Sequence, residues 1–282
     1  MRQDVCVPQR NHLIQTMRNT GGPQCPKWAI WLLVMISLAY PALPDDLAQR
    51  AIVQIAEVDD AIKIERSLDA NSDRDPPDNG AWYQVLRGGI PIIVSAPHAT
   101  MPFREGAFRF SDGGGTGALA MELHVLANVY VIYTQFRSPS DPNFYDDNDY
   151  KRALEQLLKE TGAWLVLDIH GSSPKRPYDV DLGTMNGESL NGEGKLPEQL
   201  QRVLRHNGIS AISTNYFSAS KNQTVTRFVA ERRIPAIQLE INSTWLQPAE
   251  TDLGAHRFAQ VLEALTEFVQ MEQQKHRGSV DH

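Results

Sequence analysis

The chain has little cysteine. Its 282 residues include two, Cys6 and Cys25, and both precede the most apolar stretch of the sequence. A chain that is cut after that stretch would therefore contain none. Disulfides, cysteine nucleophiles and thiolate metal ligands are then excluded, so histidine and carboxylate side chains remain as the metal-binding set.

The sequence also lacks a block of lysine or arginine, and its formal net charge is -7 at pH 7. Proteins that bind nucleic acid normally neutralise phosphates with a basic patch. We therefore expect no nucleic-acid partner. Two motifs of hydrolytic enzymes are missing as well, since the chain contains neither a G-x-S-x-G nucleophile elbow nor an H-E-x-x-H zinc helix.

No apolar run of the sequence has the length that a membrane-crossing helix needs. The longest, residues 28–40, has thirteen residues, too few for a hydrocarbon core of about 30 Å. It matches the central part of a secretory signal, with Lys27 before it and Ser37 and Ala39 suitably placed for cleavage after residue 39. The sequence thus predicts a signal peptide over residues 1–39, a secreted or periplasmic protein, and no stable membrane partner after processing. A buried helix or an uncleaved membrane anchor is the alternative.

The rest of the chain is long and apolar enough for one sizeable core, since 41% of all residues are hydrophobic. Residues 40–80 are interpreted as a helical extension, with helical spacing over 47–68, followed by a linker rich in turn-forming residues at 71–79. Residues 81–275 are predicted to form the main domain. Residues 276–282 are predicted to be a disordered tail.

From Trp82 onward, apolar runs of strand length alternate with helical patterns. This alternation predicts an α/β fold around a largely parallel sheet. Residues 83–86 and 91–96 flank two glycines and are predicted to form a hairpin. The further strands and helices expected from the pattern are strands at 129–136, 164–169 and 236–241 and helices at 149–161 and 252–270.

Three of the predicted strands carry a chemically reactive residue at or near their carboxyl ends: His98, His170 and Glu240. In an open α/β sheet the ligand crevice lies beyond these ends, so the three side chains can converge there. Asp168 precedes His170 by two residues, projects to the same face, and can orient its imidazole. A single histidine at a strand end is more often a structural residue. The prediction of a metal site therefore rests on the coincidence of all three.

Three motifs in the sequence partly match sites of other protein classes, but each lacks the rest of the pattern. Residues 168–171 (DIHG) match one element of the calcineurin-like metallophosphatases, but the further elements of that family are absent downstream. Residues 113–118 (GGGTGA) loosely match a dinucleotide-binding loop, yet no buried strand precedes them, so they are predicted to lead into a helix. Residues 146–149 (DDND) lack the spacing of a calcium loop and are predicted to cap the helix that follows.

From about Trp82 to Gln270 the chain resembles the N-formylglutamate amidohydrolase family, which is related to zinc carboxypeptidases and aspartoacylase-like deacylases. The resemblance depends on the order and spacing of four short motifs: residues 95–98 (SAPH), Arg137 with 141–143 (DPN), 167–171 (LDIHG) and 238–242 (QLEIN). It implies a three-layer α/β/α fold with a mixed, largely parallel sheet. It also implies one Zn²⁺ ion as cofactor.

The resemblance further implies that His98 and His170 bind the zinc together with a carboxylate between them in the sequence. Zinc carboxypeptidases have a glutamate three residues after the first histidine, and this chain has Met101 there. Glu105 is our prediction for the third ligand. The alternatives are Glu122 and Asp112.

Glu240 matches the family's catalytic carboxylate and is expected to act as general base for the attacking water. Arg137 has the best motif support among the arginines and is placed with Glu240 and Asp168 in the catalytic group. Arg104, Arg176 and Asn143 are predicted to bind substrate, because a guanidinium can fork onto a carboxylate or an oxyanion.

The predicted function is hydrolysis of an amide bond in an N-acyl or N-formyl amino acid or a small acidic peptide. The partner is therefore a small-molecule or peptide substrate that bears a carboxylate. Two alternatives remain open. One is a metallocarboxypeptidase, and the other is a non-catalytic exported protein that binds a metal or an acidic ligand on the same fold.

Overall fold

The computed structural model describes residues 51–280. The predicted signal peptide at 1–39, both cysteines and the extension up to residue 50 lie outside the described residues. Within the described range, no helix is both long and apolar enough to cross a membrane.

The described chain is built around a seven-stranded sheet with strand order β1-β5-β2-β6-β9-β7-β8. The four central strands β5, β2, β6 and β9 are parallel, whereas β1 and β7 run antiparallel to their inner neighbours. The prediction of a mixed, largely parallel sheet is confirmed. The strands are β1 (Tyr83–Leu86), β2 (Ile90–Ala96), β5 (Val129–Thr134), β6 (Leu165–Ser172), β7 (Val180–Gly183), β8 (Ile212–Thr214) and β9 (Ala236–Asn242), and a separate hairpin joins β3 (Phe103–Arg104) to β4 (Ala107–Phe108).

Helices cover both faces of the sheet, which gives the three layers that were expected. The core on one face joins the strands to α1, α2, α4 and α6, and the core on the other joins them to α3 and α5. Successive side chains of a strand point to opposite faces, so each central strand supplies apolar residues to both cores. The helices are α1 (Ile55–Asn71), α2 (Gly114–Ala127), α3 (Asp149–Thr161), α4 (Leu196–His206), α5 (Val225–Ala230) and α6 (Asp252–Val280).

Local sequence signals predicted several of these helices well. Helix α3 has the predicted bounds, and the side chain of Asn148 caps it by accepting the backbone N–H of Lys151. The glycine-rich segment leads into α2, as predicted. Helix α6 is longer than expected and continues through most of the predicted tail, where the ring of His276 stacks on Trp164 at 4.7 Å.

The predicted hairpin between β1 and β2 is wrong. The two strands lie on opposite sides of β5 and do not pair with each other. Between them the chain passes the beginning of β5 so closely that a Cβ on Gly88 would stand 2.3 Å from the carbonyl oxygen of Asn128. Gly88 therefore permits a close backbone approach, and the sequence pattern alone does not distinguish this from a tight turn.

Helix α1 belongs to the same compact body as the sheet, although the turn-rich segment after it was interpreted as a linker. Ala61 and Leu68 of α1 enter the main core. Asp69 accepts the backbone N–H of Gly114 at 2.8 Å, and Glu65 accepts that of Ala249 at 2.8 Å. These long-range contacts attach α1 to α2 and to the segment before α6.

Candidate metal centre

The carboxyl ends of β2, β6 and β9 meet as the sequence predicts, because these three strands are neighbours in the sheet. His170 and Glu240 are partners in the register of β6 and β9. His98 follows β2 by two residues, and its ring centroid lies 5.0 Å from that of His170. The structure thus brings together the three residues on which the prediction of a metal site depended.

The carboxylate that joins the two imidazoles is that of Asp112. Its Oδ2 lies 2.8 Å from Nδ1 of His170 and 3.5 Å from Nδ1 of His98. One donor atom from each of the three residues falls within a group whose members are all within 4.8 Å of one another. Two backbone features hold the Asp112 loop there: its N–H donates to the carbonyl of His98 at 2.8 Å, and Gly171 leaves room for its carbonyl.

Each imidazole also faces a second, buried carboxylate with its other nitrogen. Nε2 of His98 lies 2.7 Å from Oδ1 of Asp141, and Nε2 of His170 lies 3.4 Å from Oδ2 of Asp168. The hydrogen bond between Asp141 and Nε2 of His98 keeps the proton of that ring on Nε2 and leaves the lone pair of Nδ1 directed at the common centre. Two imidazole nitrogens and one carboxylate oxygen are a donor set that suits Zn²⁺ with an open coordination position. The residues therefore fit the metal.

The carboxylates stabilise positive charge at this centre. Burial disfavours the charged imidazole of His98, but Asp141 and Asp112 outweigh burial and raise its pKa to about 9. For His170, burial is likewise outweighed by Asp168 and Asp112, so its pKa lies well above the usual value. Burial would raise the pKa of Asp112, yet its bonds to both histidines hold that pKa below its usual range.

Glu240 lies beside this group as a partly buried carboxyl with an altered pKa. Burial raises its pKa to about 7, and the charges of His170 and His98 only partly oppose this. One carboxyl oxygen, Oε1, accepts a hydrogen bond of 2.8 Å from Nε2 of Gln238. A carboxylate that titrates near neutral pH is suited to take up and release a proton.

Glu105, our prediction for the third ligand, lies in the turn of the β3–β4 hairpin. Its side chain is 60% exposed, and the nearest ionic group is the guanidinium of Arg104 at 3.5 Å. Glu122 projects from the middle of α2 toward the acidic residues Asp60 and Glu57 of α1, where burial raises its pKa to about 7. Of the three carboxylates considered, the structure brings Asp112 to the histidines.

The arginines differ in what they already contact. Arg137 forms a double ion pair with Asp75, with Nε 2.7 Å from Oδ1, and its guanidinium lies 4.6 Å from the ring centroid of Phe108. Arg104 is 3.5 Å from Oδ2 of Asp141 and stacks over Phe144. The catalytic role predicted for Arg137 and the substrate-binding role predicted for Arg104 would therefore both compete with existing acidic partners.

Arg176 is the exception among the three arginines. Its guanidinium stacks over Phe217 at 4.7 Å and Tyr216 at 5.6 Å, and it has no acidic partner among the described residues. Asp181, the register partner of Glu240 on β7, accepts the backbone N–H groups of both aromatic residues. Arg176 is thus held on the side of the centre where Glu240 lies.

Three residues at the centre had no predicted role: Asp141, Thr226 and Gln238. Asp141 belongs to a motif that carried the family resemblance, but its contact with His98 spans 43 residues and leaves no local signal. Thr226 donates to Asp168 at 3.2 Å. Asn143, predicted to bind substrate, instead accepts the N–H of Val225 at the beginning of α5.

Comparison with known proteins gives similarity at the level of structure. No family model matches the chain, and no curated protein matches it. A gene product of Agrobacterium tumefaciens has a similar structure, with a TM-score of 0.51 and 11% identity over 71% of this chain and 99% of the other. At this identity the likeness shows the fold alone.

Two further similar structures are enzymes of the group that the sequence resembles. One is an N-formylglutamate amidohydrolase from Ralstonia eutropha JMP134, with a TM-score of 0.49 and 17% identity over 67% of this chain and 98% of the other. The second is a metallo-carboxypeptidase from Pseudomonas aeruginosa, with a TM-score of 0.43 and 13% identity over 76% of this chain and 68% of the other. Neither likeness identifies the activity of this chain.

Proposed function

We propose that the chain is a metal-dependent hydrolase of amide bonds, with His98, Asp112 and His170 as ligands of one metal ion and zinc as the preferred metal. A single observation carries the proposal. The Nδ1 atoms of two histidines and one carboxylate oxygen face a common point, and a buried carboxylate stands behind each imidazole. A lone structural histidine needs neither of these arrangements.

Zn²⁺ bound by these residues would act as a Lewis acid on the scissile carbonyl and would lower the pKa of water towards about 7. Glu240 takes the proton of the attacking water and returns it to the leaving amine, because it lies beside His170 on the neighbouring strand. Asp141 keeps the imidazole of His98 in the tautomer that donates away from the centre, and Asp168 places a negative charge beside Nε2 of His170.

The substrate is proposed to carry a free carboxylate, and Arg176 is its proposed partner. A guanidinium held against two aromatic rings keeps its hydrogen-bonding edge available, and Arg176 has no acidic partner among residues 51–280. An N-acyl or N-formyl amino acid or a small acidic peptide satisfies this requirement. With the proposed signal peptide at 1–39, the enzyme would act outside the cytoplasm as a secreted or periplasmic protein.

A substrate panel with the zinc-loaded protein tests this function. The panel contains N-formyl and N-acetyl amino acids, short acidic peptides, and the same compounds with the carboxylate converted to an amide. We expect hydrolysis of the free acids and near-complete loss of turnover in Glu240→Gln, which should still bind the metal. Release of a carboxyl-terminal residue from peptides alone would favour the metallocarboxypeptidase alternative.

The non-catalytic alternative makes a different forecast for the same panel. A binding protein on this fold would show saturable binding of the acidic compounds with no turnover under zinc, cobalt or manganese. The position of Glu240 favours catalysis, since its strand pairs with that of His170 and so places a carboxyl beside the proposed metal ligands.

A further inference from the structure

Gln238 is a polar residue whose side chain is buried in a central strand of the sheet. It is 3% exposed and lies on β9, with parallel and antiparallel neighbours on its two sides. Burial of an amide costs free energy unless the amide is hydrogen-bonded. Because Gln238 precedes Glu240 by two residues, both side chains project from the same face of the sheet.

The amide of Gln238 reaches the proposed general base directly. Its Nε2 lies 2.8 Å from Oε1 of Glu240. An ionised carboxylate can only accept hydrogen bonds, so the NH₂ end of the amide must face it. Among the described residues, no other group donates a hydrogen bond to the Glu240 carboxyl. Its second oxygen, Oε2, therefore has no protein donor among them.

The neighbouring strands hold Gln238 in place. In the register of the sheet it stands between Asp168 of β6 and Gly183 of β7. A Cβ on Gly183 would lie 3.1 Å from the Cβ of Gln238 and 2.5 Å from the carbonyl oxygen of Phe217. The glycine therefore provides the space into which the beginning of the Gln238 side chain fits.

We propose that Gln238 is a positioning residue for Glu240. Its amide holds one carboxylate oxygen and so presents the other to the attacking water, from which Glu240 takes the proton. The inference rests on the proposed function, because it assigns a role within the same reaction. Gln238 acts through Glu240 in this account, so its loss lowers kcat and leaves substrate binding, measured by KM, nearly unchanged.

The substitution Gln238→Met tests this role, because methionine has a similar length and no N–H donor. We expect a fall in kcat of roughly 10- to 100-fold, the range typical of residues that orient a catalytic group, with KM and bound zinc unchanged. In the Glu240→Gln background the same substitution should cause no further loss, since two residues that act as a unit are not additive. Additive losses in the double variant would overturn the proposal.

Ser189→Ala serves as a matched control. Ser189 is buried and donates to the carbonyl of Ala236 at 2.7 Å, at the beginning of the same strand. Its loss should lower Tm and leave kcat unchanged. If Ser189→Ala reduces kcat as much as Gln238→Met does, general loosening of β9 explains the effect and the positioning role is refuted.

An NMR measurement tests the contact without any turnover. In the zinc-loaded protein, the side-chain N–H signals of Gln238 should move upfield in Glu240→Ala, because the acceptor is lost. Unmoved signals in folded, zinc-loaded protein would refute the hydrogen bond. The two proposals fail differently: full turnover by Glu240→Gln refutes the general base, whereas an inactive Glu240→Gln with a fully active Gln238→Met refutes only the role of Gln238.

Discussion

The imidazoles of His98 and His170 each lie between two carboxylates, and they share one of these, Asp112. The shared carboxylate faces the common centre, while Asp141 and Asp168 stand behind the rings. This division separates residues that would hold a metal from residues that fix the orientation of its ligands. Asp112 and the two carboxylates behind the rings therefore have different roles, although all three are largely buried.

At the same scale, Arg176 should determine the preference for substrates with a free carboxylate. We expect Arg176→Ala to raise KM by about 10-fold or more for such substrates, since a charged hydrogen-bonded partner is lost. The corresponding amidated compounds should show little change. Steady-state kinetics with both forms of each compound measures the difference.

Arg137→Ala is the matched control for that experiment, because Asp75 already occupies its guanidinium. It should leave KM for both classes of substrate close to the value of the unsubstituted protein. An effect of Arg137→Ala that exceeds that of Arg176→Ala would contradict the assignment of the carboxylate partner.

The strand pattern of the sequence was enough to predict that three of the site residues lie close together. His98, His170 and Glu240 come together because each lies at or near the carboxyl end of one of three neighbouring parallel strands. The third carboxylate could not be selected in this way, because Asp112 lies in a loop and the β3–β4 hairpin separates it from His98 in the sequence. The partner of Arg137 was likewise hidden, since Asp75 is 62 residues away in the chain.

Among the elements, helix α1 carries a buried glutamate whose charge opposes folding. Glu65 is 4% exposed and accepts the N–H of Ala249. Burial, with smaller contributions from Asp69 and Glu250, raises its pKa to about 7. The folded state therefore binds this proton more tightly than the unfolded chain, whose glutamates titrate near their ordinary value of about 4.3.

The free energy of unfolding should consequently decline as the pH rises from about 5 to 8, because the folded state must give up the proton that it favours. We expect Glu65→Gln to weaken this decline, so that the variant is stabilised relative to the unsubstituted protein more at pH 8 than at pH 5. Urea unfolding at both pH values measures the effect. Glu193→Gln, at an exposed position, is the control. Equal pH dependence in all three proteins would contradict the account.

The elements also show what local sequence can and cannot specify. Helix α3 was predicted to the residue because its cap, its amphipathic pattern and its terminal glycine are all local signals. The placement of β1 and β2 on either side of β5 was missed, because it depends on the contact of Gly88 with Asn128, 40 residues later. Strand pairing of this kind is decided by tertiary packing.

For the whole molecule, the pattern of strands and helices was enough to predict three layers and a mixed sheet, since alternating strand and helix runs favour parallel pairing. The strand order was not available in the same way, because β6 pairs with β9 across an intervening segment that contains β7 and β8. That order places Glu240 beside His170.

A cavity of about 590 Å³ lies near the amino ends of β6 and β9, and none of the proposed catalytic or metal-binding residues lines it.

The central claim is that His98, Asp112 and His170 together bind one metal ion. The zinc content of the purified protein after loading and dialysis, measured beside Asp112→Ala and Glu105→Ala, tests it most directly. We predict about one zinc per chain in the unsubstituted protein and in Glu105→Ala, and a loss of most bound zinc in Asp112→Ala, because removal of a ligand opens the site. A protein without zinc, or one that keeps its zinc in Asp112→Ala and loses it in Glu105→Ala, would contradict the account.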